Sequence, residues 1–301
     1  VTDSPGDDVL AALCRRLDRD PATLKRFPDG SLPVYELGSD LVLKLYPPED
    51  LDELRVEAAA LRAVQGRLPI ATPDVVDTGA TGGWGYLLMG RLPGESLKSV
   101  WPRLSPVERS ELAGVLGRTL AALHATGGAR LEDIPRPDWA EFVARQRATA
   151  VERQRANGLD EGWLTQIPSF LDTVDDTKLA CAGPVLLHTE VMRDHLVLSR
   201  TASGWVPSGL FDFEPAMLGA PEYEFVAVGL FVSAGDARFL RELLLAYGYL
   251  PEQLGDELAR RLLAYTLLHR YSNLRWYLRE LPAPTEPTLD SLAVRWFGTG
   301  A

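Results

Sequence analysis

Three residues that can carry chemistry fall on two short stretches. Glu190 and His195 lie in Leu187-His188-Thr189-Glu190-Val191-Met192-Arg193-Asp194-His195-Leu196-Val197-Leu198, and Asp212 lies in Leu210-Phe211-Asp212-Phe213-Glu214. Both stretches have one layout: an apolar run delivers a few polar residues, and the chain turns apolar again. Leu196 to Leu198 reads as a buried strand and residues 209–213 as its partner, with Arg200-Thr201-Ala202-Ser203-Gly204 as the loop between them. That hairpin gathers Glu190, His195 and Asp212 at one end of a small sheet. Two carboxylates and an imidazole in one place suit general acid/base work or a divalent metal. A lone carboxylate is most often just solvated; the constellation and its matching parts elsewhere carry the weight.

The first matching part is Lys44, the one charged residue in Leu41-Val42-Leu43-Lys44-Leu45-Tyr46. Apolar neighbours on both sides imply a buried ammonium, which needs a partner or an anion; the other reading is a strand-end lysine reaching solvent. Residues 50–64 have helical periodicity, with Leu54, Ala58, Leu61 and Val64 inward. Glu57 sits beside that face, within reach of Lys44 or simply solvated.

The elements that position these groups follow in order. A short helix over 8–17 precedes three strands at 24–27, 34–37 and 41–46, joined by turns at Pro28-Asp29-Gly30-Ser31 and Gly38-Ser39-Asp40. After the helix come strands near 75–76 and 84–89. Arg91-Leu92-Pro93-Gly94-Glu95-Ser96-Leu97 then reads as a linker broken by proline and glycine. Ser105-Pro106-Val107-Glu108 opens a helix to about His124, with cap, first-turn proline and capping box in agreement. An arginine-rich helix over 139–155 is expected on the surface, and another over 163–174. After the hairpin, residues 223–232 form a core helix, followed by helices over 239–247, 251–271 and 290–297. The result is an α+β chain: a β-rich lobe over 1–90 and a mostly helical lobe over 91–301, with a ligand cleft expected between them.

The chain has 301 residues and a net charge of −11. That acidity disfavours nucleic acid and anionic membranes as partners and suits a cationic small molecule. Two cysteines, Cys14 and Cys181, exclude a disulfide framework and fit a reducing compartment. The acidic start and the absence of a long apolar run lead to the expectation of a cytoplasmic protein, as monomer or homodimer.

From about Leu24 to Tyr277 this order resembles the aminoglycoside phosphotransferase and choline-kinase group, which has the protein-kinase-like fold. Tyr86-Leu87-Leu88-Met89-Gly90-Arg91, residues 41–46, 140–155 and Leu263-Ala264-Tyr265-Thr266-Leu267-Leu268-His269 look most like actinobacterial hygromycin B phosphotransferases. The resemblance implies transfer of the γ-phosphate of ATP (or GTP), with Mg²⁺, to a hydroxyl of a small molecule, for which hygromycin B is the first expectation. It implies that Lys44 holds the α/β-phosphates with Glu57 as its partner. Asp29, Gly30 and Ser31 would cover the phosphates, and Met89, Gly90 and Arg91 would bind adenine. Glu190, with His188 beside it, falls at the catalytic position, and Asp212 and His195 at the metal ligands. Asp194, Glu214 and Glu222 are the acids expected to fringe a cationic acceptor.

Three departures stand out. The group's His-Gly-Asp is His188-Thr189-Glu190 here, His195 replaces an asparagine, and Gly-Asp-Pro-x-x-Asp appears as Gly219-Ala220-Pro221-Glu222-Tyr223-Glu224. Glutamate extends the carboxylate by roughly 1.5 Å, and imidazole suits transition metals better than magnesium. A re-tuned enzyme, a nucleotide- or ligand-binding pseudokinase, and a kinase for another alcohol or sugar all remain open on the sequence.

Overall fold

The computed structural model describes residues 5–28, 30–128, 131–174, 179–181 and 183–300. Five strands form the first sheet: β1 (Leu24–Arg26), β2 (Val34–Leu37), β3 (Leu41–Tyr46), β4 (Val75–Thr81) and β5 (Trp84–Gly90), in the order β1-β2-β3-β5-β4. All pairings are antiparallel, as short strands with tight turns require. The strand β3 lies in the middle, so Lys44 is flanked by Val34 on β2 and Leu87 on β5. The helix Leu51–Val64 packs on this sheet and buries Leu54, Ala58, Leu61 and Val64.

The expected linker is tied down. Glu95–Ser96 forms a short strand, β6, which pairs with β8 (Leu196–Thr201), itself paired with β9 (Gly204–Leu210). Gly94 makes this approach possible: its φ is +131°, and a Cβ there would lie 2.5 Å from the Leu198 carbonyl oxygen. Two further strands, β7 (Val185–Leu187) and β10 (Met217–Gly219), pair with each other and carry the chain into and out of the polar loops.

The rest is helical. The helix Pro106–His124 has the expected capping box at Ser105 and Glu108, and buries Leu112, Leu116, Leu120 and Leu123. Each buried leucine is worth roughly 1.5–3 kcal/mol. The helix Ala237–Tyr247 crosses it closely because Gly117 has no Cβ; one would sit 2.3 Å from the Leu243 carbonyl oxygen.

Four sequence expectations change. The segment 139–156 buries Trp139, Phe142 and Ala150, so its arginines mislead about a helix half sunk in the core. The helix expected over 163–174 divides into Glu161–Leu164 and Ile167–Asp172, the second starting with Pro168 in its first turn. The helix expected over 251–271 begins at Asp256 and ends at Leu268, and Leu274–Glu280 forms a separate helix. The core helix after the hairpin becomes a π-helix over Val228–Ser233, a widened turn often found beside functional sites. Among the described residues no helix is long and apolar enough to cross a membrane.

Candidate active site

Lys44 organises the site. Its ammonium lies 2.9 Å from Glu57, 2.5 Å from Asp212 and 2.6 Å from Glu214. It is 5% exposed and Glu57 1%. Burial opposes its charge, but Asp212 and Glu57 outweigh that and hold its pKa well above the ordinary value. Glu57 is fixed on three sides: it pairs with Lys44, accepts from the Tyr46 hydroxyl, and accepts from the Phe213 amide at 3.1 Å. The last bond runs from the helical lobe to a helix packed on the first sheet, so Glu57 ties the two halves together.

Asp212 lies two residues past the end of β9 with φ +74°, a left-handed conformation, and its carboxylate meets Lys44. Burial alone would raise its pKa; Lys44 and His195 bring it well below the usual carboxylate range. Glu214 is pushed up to about 7, by burial first, with Lys44 opposing and Asp212 adding. One lysine therefore faces three carboxylates, a surplus of negative charge that favours a further cation.

His195 connects the two stretches. Its Nδ1 lies 2.8 Å from the Glu190 carbonyl oxygen, which can only accept, so Nδ1 carries the proton. That leaves Nε2 facing Asp212 Oδ2 at 3.0 Å. Imidazole anchored through one nitrogen to a carbonyl is the usual arrangement of a histidine metal ligand. Two donors about 3 Å apart also match neighbouring ligands around an octahedral ion with bonds of about 2.1 Å. The donor set, Asp212 with His195 and with Glu214 close by, fits a divalent cation.

His188 behaves differently from its expected catalytic place. It is fully buried; Nε2 donates to the Phe211 carbonyl oxygen at 3.0 Å, and Nδ1 accepts from the Glu190 amide at 3.3 Å. Burial lowers its pKa to about 4. A neutral ring with both nitrogens bonded to backbone positions Glu190 and Asp212, and has neither a free atom nor access for proton transfer. Glu190 itself borders an open cavity, and burial raises its carboxyl pKa.

Glu224, read only as a departure in the sequence, holds the loop from below. Its two oxygens accept from the amides of His188 at 2.6 Å and Thr189 at 3.0 Å. Thr189 has φ +69°, a strained region for a β-branched residue. Its hydroxyl donates to the Pro215 carbonyl oxygen and accepts from Arg270. Arg193 stacks on Trp101 and donates twice to the Val232 carbonyl oxygen, fastening the same loop to the π-helix.

The other expected residues divide. Gly30 and Ser31 lie in the turn before Val34, whose backbone partner on β3 is Lys44; Asp29 lies outside the described residues. The amides of Gly90 and Arg91 are taken up by the carbonyls of Asp74 and Asp40, and Met89 is buried within the sheet. Each acid expected around the acceptor meets a cation: Asp194 meets Lys98 in an exposed pair, Glu214 shares Lys44 with two other carboxylates, and Glu222 meets Arg261 and accepts from Tyr249. The sequence reading also passed over Phe231, Tyr271, Trp276 and Tyr277, which with Glu190 line a cavity of about 300 Å³. The aromatic density of 271–277 was a visible signal; its position next to Glu190 was not.

A lysine on a central strand, paired to a helix carboxylate and to an aspartate after a hairpin, defines the protein-kinase-like two-lobed fold. Residues 23–263 match the model of the phosphotransferase enzyme family, and the chain belongs to that family. No curated protein matches it. Solved structures share the fold at low identity. A GDP complex of aminoglycoside 2'-phosphotransferase-IIIa is 18% identical, with 91% of this chain and 90% of that one covered and a TM-score of 0.72. A streptomycin–ATP ternary complex of an aminoglycoside 2''-phosphotransferase is 14% identical, with 96% and 99% covered and a TM-score of 0.66. The macrolide 2'-phosphotransferase of Brachybacterium faecium is 20% identical, with 98% and 99% covered and a TM-score of 0.61.

Proposed function

We propose that this protein transfers the γ-phosphoryl group of ATP or GTP to a hydroxyl of a small-molecule antibiotic. The observation that carries the proposal is the convergence on one ammonium: Lys44 meets Glu57 from one lobe and Asp212 from the other, with His195 joining Asp212 to Glu190. Phosphoryl transfer is mostly positioning and charge neutralisation, and these are the groups it needs. Lys44 would neutralise the phosphate oxygens, and the turn holding Gly30 and Ser31 would cover them, a reading supported by the pairing of Val34, just after that turn, with Lys44. The metal, Mg²⁺ or Mn²⁺, would be held by Asp212 and His195, and supplies charge neutralisation at the phosphates.

In the reaction the acceptor oxygen forms a bond to the γ-phosphorus while the bond to the β–γ bridging oxygen breaks. The nucleoside diphosphate leaves, and the hydroxyl proton goes to Glu190. Its raised pKa makes that carboxylate a better proton acceptor than an exposed one. His188 keeps Glu190 and Asp212 in register and takes no proton.

The acceptor is open at finer resolution. Segment likeness points to hygromycin B, and solved relatives of the same fold include both aminoglycoside and macrolide phosphotransferases. The test is direct. Thermal shifts with ATP and Mg²⁺ or Mn²⁺ should show nucleotide binding, and mass spectrometry should show a product 80 Da heavier than one antibiotic of a panel. Nucleotide binding with no phosphorylated product across that panel would transfer the case to a nucleotide-binding pseudokinase.

A further inference from the structure

The cavity beside Glu190 has a chemistry that the net charge of the chain conceals. It is bordered by Thr189 and Glu190 on one side and, on the other, by Phe231 from the π-helix and Tyr271, Trp276 and Tyr277. Phe231 lies 5.7 Å from Trp276 and from Tyr277, and Trp276 lies 5.5 Å from Tyr277, ring centre to ring centre. These rings form one continuous wall. Trp276 is 40% exposed and Tyr271 52%, unusually open for such large side chains. Glu190 is the one carboxylate among the described residues that line the cavity. Arg270 lies close enough to lower its carboxyl pKa and so weakens its pull on another cation. A group bearing several ammoniums would find no second carboxylate in the wall itself; Glu53 and Glu214 act on Tyr271 from outside it.

We infer that the acceptor is recognised by ring stacking: it places an uncharged, hydroxyl-bearing ring with an apolar face against Trp276 and its neighbours, and keeps any ammonium groups outside this cavity. The chemistry of transfer rests on the phosphotransferase reading; the stacking does not, because binding can be measured without it. The volume of about 300 Å³ is at the lower end for ligand pockets, enough for one such ring and not for a whole antibiotic. Open aromatic faces attract the C–H side of a sugar or other saturated ring, and a hydroxyl on its edge then reaches Glu190. Trp276, Phe231 and Tyr277 are thus specificity-determining residues, set apart from the groups that handle the phosphate.

The test compares hygromycin B, kanamycin, a macrolide and choline with wild-type protein, Trp276→Ala and Trp276→Phe. Acceptor KM is measured at saturating ATP, and binding by calorimetry without nucleotide. For whichever ring-bearing compound binds best, Trp276→Ala should raise Kd and acceptor KM about 10-fold or more. Trp276→Phe should recover most of that, and the KM for ATP should stay within about twofold. Raising salt from low to high should change acceptor Kd by less than about threefold, as expected for stacking rather than ion pairing. A best ligand whose affinity collapses with salt and ignores Trp276→Ala overturns the inference, as does choline or the absence of any ring-bearing ligand as the result of the binding panel. Stacking-dependent binding with no phosphorylated product would leave the inference standing and sink the phosphotransferase reading.

Discussion

His188 gives the most quantitative prediction, because its ring is fully buried and both nitrogens are bonded to backbone. Its pKa is lowered to about 4 from 6.5 by burial. The depressed folded pKa fixes the sign: the contribution to stability is complete above 6.5 and is lost as pH falls toward 4, because the unfolded chain takes up the proton first. At pH 5 the difference in proton uptake costs about 2 kcal/mol relative to pH 8. His269 is also buried, with a pKa lowered to about 3, and costs about the same over that range. Wild-type protein should therefore lose about 4 kcal/mol of unfolding free energy between pH 8 and pH 5 from these two rings.

The perturbation is His188→Asn. The asparagine oxygen stands where Nδ1 did and can still accept from the Glu190 amide, but the bond to the Phe211 carbonyl is lost. At pH 8 the variant should be less stable by about 1–3 kcal/mol. Between pH 8 and pH 5 it should lose about 2 kcal/mol less than wild type, since the His188 contribution is removed while every other titrating group is kept. Urea unfolding at both pH values measures the difference. An identical pH loss in both proteins would refute the reasoning, as would a His188 ring signal titrating near 6.5 by NMR. That second result would also reopen a proton-carrying role for His188.

Three further outcomes follow from the same geometry. Glu190→Gln should lower kcat by about 10²-fold or more, with ATP affinity unchanged by calorimetry; full turnover would remove Glu190 from its assigned role. Lys44→Met leaves three carboxylates around an apolar side chain, so it should abolish nucleotide binding and destabilise the protein by about 3–5 kcal/mol at pH 8. That loss should shrink at pH 5, where Glu214, already shifted to about 7 beside Lys44, is protonated; a pH-independent loss contradicts the charge argument. His195 with Asp212 should bind Mn²⁺ more tightly than the usual asparagine–aspartate pair would, relative to Mg²⁺. Calorimetric titration of wild type and His195→Asn with each metal tests this, and an unchanged Mn²⁺/Mg²⁺ ratio excludes His195 as a ligand.

Much of this was legible in the sequence because it is local. Lys44 stood out as a charge inside an apolar strand, Ser105 and Glu108 announced a helix start, and a loop between apolar runs marked the hairpin. The order β1-β2-β3 needed only short antiparallel connections, whereas the pairing of β3 with β5 rather than β4 spans the intervening helix and is not local. What escaped depends on contacts between distant segments. That Asp194, Glu214 and Glu222 are already paired could not be known without Lys98, Lys44 and Arg261 in place. Nor could the aromatic wall be placed, because Phe231 joins Trp276 only through a π-helix, and a run of apolar residues does not distinguish that from an ordinary helical turn.

The altered motif is where structure adds most to the sequence. Aspartate-to-glutamate changes at 190 and 224 fit either decay or rebuilding when read as letters. In space they belong to one arrangement. Glu224 is fully buried and both its oxygens accept amides of the Glu190 loop. Thr189, strained where glycine would be relaxed, is secured by a bond to Pro215 and one from Arg270. His195 holds the Glu190 carbonyl with one nitrogen and faces Asp212 with the other. A decaying site accumulates buried acids and strained residues without partners, because nothing selects against them once binding is lost. Here the side chains of Glu224, Thr189 and His195 all have partners within the loop or beside it. The added methylene of Glu224 is used to reach two successive amides, and the threonine hydroxyl to fasten a left-handed turn. Such mutual satisfaction of buried polar groups is what a functioning site requires, and it favours a re-tuned phosphotransferase over a relic.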